Sequence, residues 1–139
     1  MKKSFTIIEL IFVIVVLGII AAVALPKFSE NLKQANISKA QSKVTAIRSA
    51  IQVYKNKHIL LGDETPYPDS LTDTKPFDVI LSPGVEEGSD AGEWEDLGNE
   101  KYKFHISDDE YAVFEYNNTE GTFECSKSSS NPSKVCNSF

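Results

Sequence analysis

The sequence predicts an α+β protein, one long N-terminal helix packed against a small antiparallel sheet. Three observations carry this expectation. Residues 5–25 form an apolar run, apolar residues then recur at helical spacing as far as Leu61, and beyond residue 100 the pattern changes to alternation. The 139 residues allow one ordinary domain plus an appendage, which excludes a multidomain enzyme.

The first element runs from Phe5 to Leu25, where Glu9 is the only ionisable side chain. As a helix it spans about 31 Å, enough for a bilayer core of about 30 Å. Lys2 and Lys3 on the N-terminal flank favour a cytoplasmic N-terminus. On these features alone three alternatives stay open. The segment is a removable secretory signal with Ala22-Val23-Ala24 as its cleavage site, a plain anchor, or a span whose carboxylate has a partner. A carboxylate near the start of the run and an odd mature start at Leu25-Pro26-Lys27-Phe28 count against the removable signal. Glu9 needs an explanation, because a charge inside a membrane costs a few kcal/mol on the most lenient scale.

The second element continues the helix from residue 26 to residue 61. Val44, Ile47, Ile51, Tyr54 and Leu61 make one stripe, with Lys39, Lys43, Arg48 and Lys55 around it. This is where the sheet is expected to pack. Pro26 should kink the helix or break it locally, since it removes an amide donor and clashes one turn back. Gly18 and Ala21-Ala22-Val23-Ala24 let helices approach closely. The helix should stop at Leu61-Gly62, with Pro66 and Pro68 just beyond.

The head, residues 62–139, opens with a stretch to residue 100 punctuated by Pro66, Pro68, Pro76, Pro83, Gly84, Gly88, Gly92 and Gly98. It is expected to be an extended loop region with a turn or short helix from Tyr67 to Leu71. Three strands follow as a meander: Lys101 to Ile106, Tyr111 to Tyr116, and Thr122 to Cys125. Cys125 and Cys136 flank ten residues too polar to pack alone. One disulfide is expected there, with two free thiols or a partial metal site as alternatives. A disulfide would agree with an exported head.

Charge is segregated along the chain. Residues 27–57 hold seven bases and one acid, a net of +6, whereas residues 58–139 hold 5 bases and 18 acids, a net of −13. An acidic head is a poor nucleic-acid binder, so no direct nucleic-acid partner is expected. Attraction between the basic helix and acidic heads would set register and speed association.

No constellation supports catalysis: His58 and His105 stand apart from any nucleophile, and no Gly-rich phosphate loop follows a strand. Glu86, Glu87, Asp90, Glu93, Glu95 and Asp96 could offer oxygen ligands to calcium, but without the fixed spacing of a calcium loop. A solvated charge run is the ordinary explanation. Glu115-Tyr116-Asn117-Asn118-Thr119 matches an acidic N-glycosylation sequon with Asn117 as acceptor.

Lys2-Lys3-Ser4-Phe5-Thr6-Ile7-Ile8-Glu9-Leu10, the uncharged run after it and Pro26 at its end resemble the N-terminus of the type IV pilin and pseudopilin family. The resemblance implies a pilin-like fold, a leader of residues 1–4, and cutting between Ser4 and Phe5 by prepilin peptidase with methylation of the Phe5 nitrogen. Ser4 departs from the Gly usual before the cut. Glu9 would pair with the N-terminal ammonium of a neighbouring copy. The implied partners are further copies and other pilins in a helical filament, the inner membrane before assembly, and an assembly platform with its ATPase. In pilins a disulfide-bounded C-terminal region like Cys125 to Cys136 is exposed on the filament, while major pseudopilins typically use a calcium site instead. The expected function is therefore that of a structural pilus subunit, not an enzyme, found at the cell surface or in the periplasm after assembly. A pseudopilin of type II secretion is the nearest alternative. A membrane-anchored periplasmic binding module that never polymerises is the alternative from another class.

Overall fold

The computed structural model describes residues 5–139. Its elements are helix α1, Ile7–Leu61, strands β1, Trp94–Gly98, β2, Lys101–His105, β3, Tyr111–Asn117, and β4, Thr122–Cys125, and a 3-10 helix over Ser133–Ser138. The residues before Ala35 form one compact unit and Ala35–Phe139 another.

In the first unit every described residue from Phe5 to Leu32 is exposed, the apolar ones included. Pro26 lies inside α1 and does not end it, so the local break allowed by the sequence does not occur. One lost amide bond is outweighed where helix-compatible residues continue on both sides.

In the second unit α1 buries Ala40, Val44, Ile47 and Ile51. The spacing of four, three and four residues puts them on one face. Tyr54 is half-buried, but Leu61, expected on the same stripe, is 67% exposed because the sheet ends before it. The helix stops as predicted at Leu61. Gly62 takes φ +86°, its N–H reaches the Ile59 carbonyl and the Asp63 N–H reaches the His58 carbonyl, the two bonds of a Schellman cap.

The sheet is antiparallel in the order β1-β2-β3-β4, one strand more than the sequence suggested. Strand β1 was hidden in the Pro/Gly-rich stretch, because only Trp94 of its five residues is buried and no alternation can be read. A two-residue turn joins β1 to β2, with Asn99 and Glu100 at φ +53° and +59°, as a tight primed hairpin requires. Glu100 in that unusual conformation is held by its own groups: its carbonyl accepts the Tyr116 N–H and its carboxylate meets Leu71 N–H.

Paired residues on the inner face are Trp94 with Phe104, Tyr102 with Phe114, Phe104 with Ala112 and Tyr116 with Phe123. They join the α1 stripe, Leu71 and Phe77 in one core. The outer face is polar, with Lys103 on Glu95 at 2.8 Å and Lys101 on Glu115 at 3.1 Å. No helix forms from Tyr67 to Leu71. The segment instead bends at Tyr67, Asp69 and Leu71, with the Pro68 carbonyl accepting the Tyr116 hydroxyl and Leu71 fully buried.

Cys125 and Cys136 are joined by a disulfide. The loop they close prolongs the edge beside β3: Ser126 N–H reaches Val113 O, and Tyr111 and Asn131 exchange both backbone bonds. Between them the buried Ser130 hydroxyl replaces a strand partner, accepting Val113 N–H at 2.9 Å and donating to Ser126 O at 2.7 Å. It also lies 3.3 Å from Cys136 Sγ. Cys136→Ser should therefore cost about 3 kcal/mol on the chain-entropy model and should release Val113 N–H to solvent exchange. Denaturation of the detergent-solubilised chain, with hydrogen exchange at Val113, checks both; unchanged protection there would separate the loop from the disulfide.

Candidate functional site

The residues on which the sequence placed function fall at the start of α1. Thr6 precedes the helix, and its N–H and hydroxyl both donate to Glu9 Oε2 at 2.9 Å. In return Glu9 N–H donates to Thr6 Oγ1 at 3.3 Å. This reciprocal pair is a capping box, formed by Thr at the cap and Glu three residues on. It gives Glu9 a partner within its own chain, a role not drawn from the sequence although Thr6-Ile7-Ile8-Glu9 carries its signature. A shallow groove of about 450 Å³ lined by Phe5, Ile8, Glu9, Phe12 and Val13 flanks the carboxylate. Phe5 is 89% exposed. Ser4 and the rest of the leader expected at residues 1–4 lie outside the described residues.

The surface that continues from this point is uncharged from Leu10 to Leu25. Among the described residues α1 is the one helix long and apolar enough to cross a membrane. An exposed apolar surface of this length suits burial in lipid or among other helices.

The acidic stretch does not converge on one point. Glu86 pairs with Lys75, Glu87 accepts Asp96 N–H, Glu93 accepts Asp90 N–H, and Glu95 holds Lys103 and His105. Among the described residues no three His, Cys, Asp or Glu side chains are grouped to hold a metal ion. Nor are the histidines without partners: His58 stacks on Tyr54 and bonds Asp63 across the helix cap, and His105 bonds Glu95 at 3.0 Å. Asn117 is exposed at the end of β3, where its side-chain oxygen accepts Thr119 N–H and Glu120 N–H to form the turn.

Within the chain, three basic residues of α1 reach uncharged groups of the head. Lys39 donates to the Gly92 carbonyl at 2.6 Å, Arg48 to the carbonyls of Phe123 and Phe139, and Lys55 lies over the Tyr67 ring. Their fixed donors strap the head to its helix.

Phe77 and Asp78, unremarkable in the sequence, organise the head. The Asp78 carboxylate accepts the N–H groups of Asp73, Thr74 and Lys75 and the Thr74 hydroxyl, folding residues 73–78 into a tight turn. Gly84 lets the chain pass beside it, since a Cβ there would lie 2.7 Å from Asp78 Cβ. The turn drives Phe77, at φ +64°, fully into the core against Tyr102, Trp94 and Phe123. A positive φ at an aromatic residue costs about 1–3 kcal/mol, which burial of the ring offsets.

Several side-chain bonds tune acidity. The Asp73 N–H first, with Thr74 next, holds Asp78 well below the usual carboxylate range; Lys103 does this for Glu95 and Lys101 for Glu115. Burial pushes the Tyr102 phenol up to about 12 and raises Tyr116 as well.

Compared with known proteins, the chain matches no family model and no solved structure. It is 29% identical over 82 residues to a fimbrial protein of Pseudomonas aeruginosa, covering 55% of this chain and 53% of that one. It is 43% identical over 51 residues to the type IV narrow pilus major component of Thermus thermophilus, covering 37% and 44%. Similarity also extends to the type II secretion system core protein G of Pectobacterium carotovorum, 35% over 54 residues, covering 39% and 35%. The proteins it is similar to are thus pilus subunits and a secretion-system core protein. The chain spans about half the length of the Pseudomonas relative and less of the other two. A long apolar helix followed by a four-stranded antiparallel sheet is the pilin-like fold the resemblance implied.

The shifted groups set the pH range of the head. Asp78, Glu95 and Glu115 have folded-state values below their unfolded ones, so their stabilisation is fully present above about pH 4 and is lost as pH falls from there through the lower folded-state values. The raised tyrosines act oppositely, and their contribution is lost as pH rises above about 10. Melting temperature should be flat between these limits and fall outside them. Asp78→Asn should shrink the acid-side drop, and an unchanged acid profile would remove Asp78 from its cause.

Proposed function

We propose that this protein is a structural subunit of a type IV pilus-like filament, polymerised through its N-terminal helix. The observation that carries this is a helix surface exposed and uncharged for sixteen residues, preceded by one satisfied carboxylate. Lipid covers that surface in the subunit held in the inner membrane, N-terminus cytoplasmic; neighbouring helices cover it in the filament. The protein does no chemistry itself. Prepilin peptidase cuts before Phe5 and methylates the new nitrogen, and a platform with its ATPase extracts the subunit.

Glu9 is the residue that selects register. Burying an ammonium at Phe5 alone, or a carboxylate alone, is costly, and pairing the two across neighbouring copies removes both penalties. Thr6 uses Oε2 for both of its bonds, so an ammonium approaching Oε1 does not compete with the capping box. Breaking such a buried pair costs about 3 to 5 kcal/mol. Glu9→Val should insert in the membrane and be processed, yet assemble poorly or not at all. Intact mass and electron microscopy of the same cells check this: a wild-type chain beginning at Leu25 would sink the filament reading, and normal Glu9→Val filaments would sink the pairing.

The similarity to a secretion core protein favours a pseudopilin as the second possibility. Calcium separates them. If the carboxylates from Glu86 to Asp96 only meet solvent and their local partners, chelator should leave the melting temperature nearly unchanged. A large fall, restored by calcium and not by magnesium, would favour the pseudopilin. Asn117 remains a candidate glycan acceptor, which the same intact-mass measurement would reveal as added hexose mass.

A further inference from the structure

Charge in the head is divided more sharply than its total suggests. Residues 58–125 carry 18 acids and three lysines, whereas residues 126–139 carry Lys127 and Lys134 and no acid. The helix acts as a ruler for where these stretches lie. Gln41 Nε2 reaches the Ser138 carbonyl at 2.8 Å, and Asn36 Nδ2 reaches Ile106 O at 2.9 Å, beside the strand end where Tyr111 pairs with Asn131. The basic loop is therefore level with residues 36–41 of α1. At the other end Lys55 Nζ lies 5.0 Å from the centre of the Tyr67 ring, and Asn118 donates to the Asp69 carbonyl. Fourteen helical residues, about 21 Å, separate Gln41 from Lys55.

A groove of about 380 Å³ opens at that far end, walled by Glu64, Pro66, Tyr67, Asp69, Asn118 and Thr119. Leu60 and Leu61, the last two residues of α1 and only a few residues before Glu64, are 87% and 67% exposed. Two exposed leucines preceding a groove with two carboxylates make a surface suited to a partner with a cationic side chain on a small loop that carries no acid. Lys55 and Lys57 are the bases of the same chain at this level, and Lys55 is already placed over Tyr67. The chain's own Lys127 and Lys134 are a head's length away.

We propose that this groove receives the loop of residues 126–134 from a second copy displaced along the helix axis. The ammonium of Lys127 or Lys134 enters between Glu64 and Asp69, and Leu60 and Leu61 lose water beside the incoming loop. The two surfaces are different, so the contact is heterologous: each copy offers its groove to one neighbour and its loop to another, and the series extends without closing. Opposite charges at the two ends also reject a copy arriving inverted, which would set groove against groove. The disulfide and the Ser130 hydrogen bonds give the loop a fixed shape before docking.

This contact rests on the filament proposal, and its test separates the two. Full-length chains are compared in filament-producing cells as wild type, Lys127→Glu with Lys134→Glu, Glu64→Lys with Asp69→Lys, and all four together. Each reversed pair should lower filament yield by roughly tenfold or more, since it sets like charges face to face, and the fourfold variant should recover most of it. Membrane levels of each subunit, measured alongside, show that the chains fold. A carbodiimide treatment of mixed isotope-labelled wild-type filaments should join Lys127 or Lys134 of one copy to Glu64 or Asp69 of another. Normal yields from both reversed pairs, or no rescue in the fourfold variant, would overturn the docking while the filament proposal stands. Wild-type chains that form no filaments would overturn both.

Discussion

The head depends on one packing event, the burial of an aromatic sheet face against a four-residue stripe of α1. Ala40, Val44, Ile47 and Ile51 are small or branched, and the sheet answers with Trp94, Tyr102, Phe104, Phe114 and Phe123. Large rings over a narrow aliphatic stripe fill the space between a helix and a twisted sheet, where close packing tolerates few voids. Everything polar then arranges itself around that contact. Lys39 and Arg48 bind carbonyls at the edges of the sheet, and the outward face carries its charges in cross-strand pairs.

How much was legible in the sequence follows from this contact. Periodicity revealed the stripe because each buried residue recurs on one helix face, and it revealed β2 because alternate side chains are buried and β3 because Ala112, Phe114 and Tyr116 are buried at alternate positions, although Val113 between them is buried too. It failed at β1, which buries Trp94 alone and then runs out at the edge, where a Glu87 side chain caps Asp96 N–H in place of another strand. It failed also at Phe77, where an aromatic at positive φ obeys a turn built by Asp78 from four donors up to five residues away. No local propensity encodes that. Leu61 erred in the other direction: helical spacing marks which face a residue shares, not how far the covering sheet extends.

At the start of α1 the balance was different. Glu9 was visible as an anomaly, a carboxylate at the edge of an apolar run, and both composition and resemblance pointed to it. What the sequence left unused was Thr6, three residues before it, although a Thr and a Glu at this spacing are a standard means of satisfying the first amides of a helix. The box lowers the cost of carrying a carboxylate at the margin of an apolar segment, because two donors already meet it. An anomaly in composition therefore need not wait for a partner chain before it is tolerable.

The contrast between the two units has a physical consequence for how such a chain can be kept. The unit from Ala35 onward buries its apolar surface internally, with a disulfide closing its last loop. The residues before Ala35 bury almost nothing, so their state is decided by whatever surrounds them. In lipid, apolar side chains gain nothing further by leaving for other apolar helices, and association there relies on close packing and on polar pairs. In the proposed filament, small residues at Gly18 and from Ala21 to Ala24 would supply the first and Glu9 the second. A chain that is stable alone in a membrane and yet transferable to a helix bundle needs this combination. An apolar surface sets no preference between lipid and helix, and in the proposed filament the single polar group at its end would decide the register.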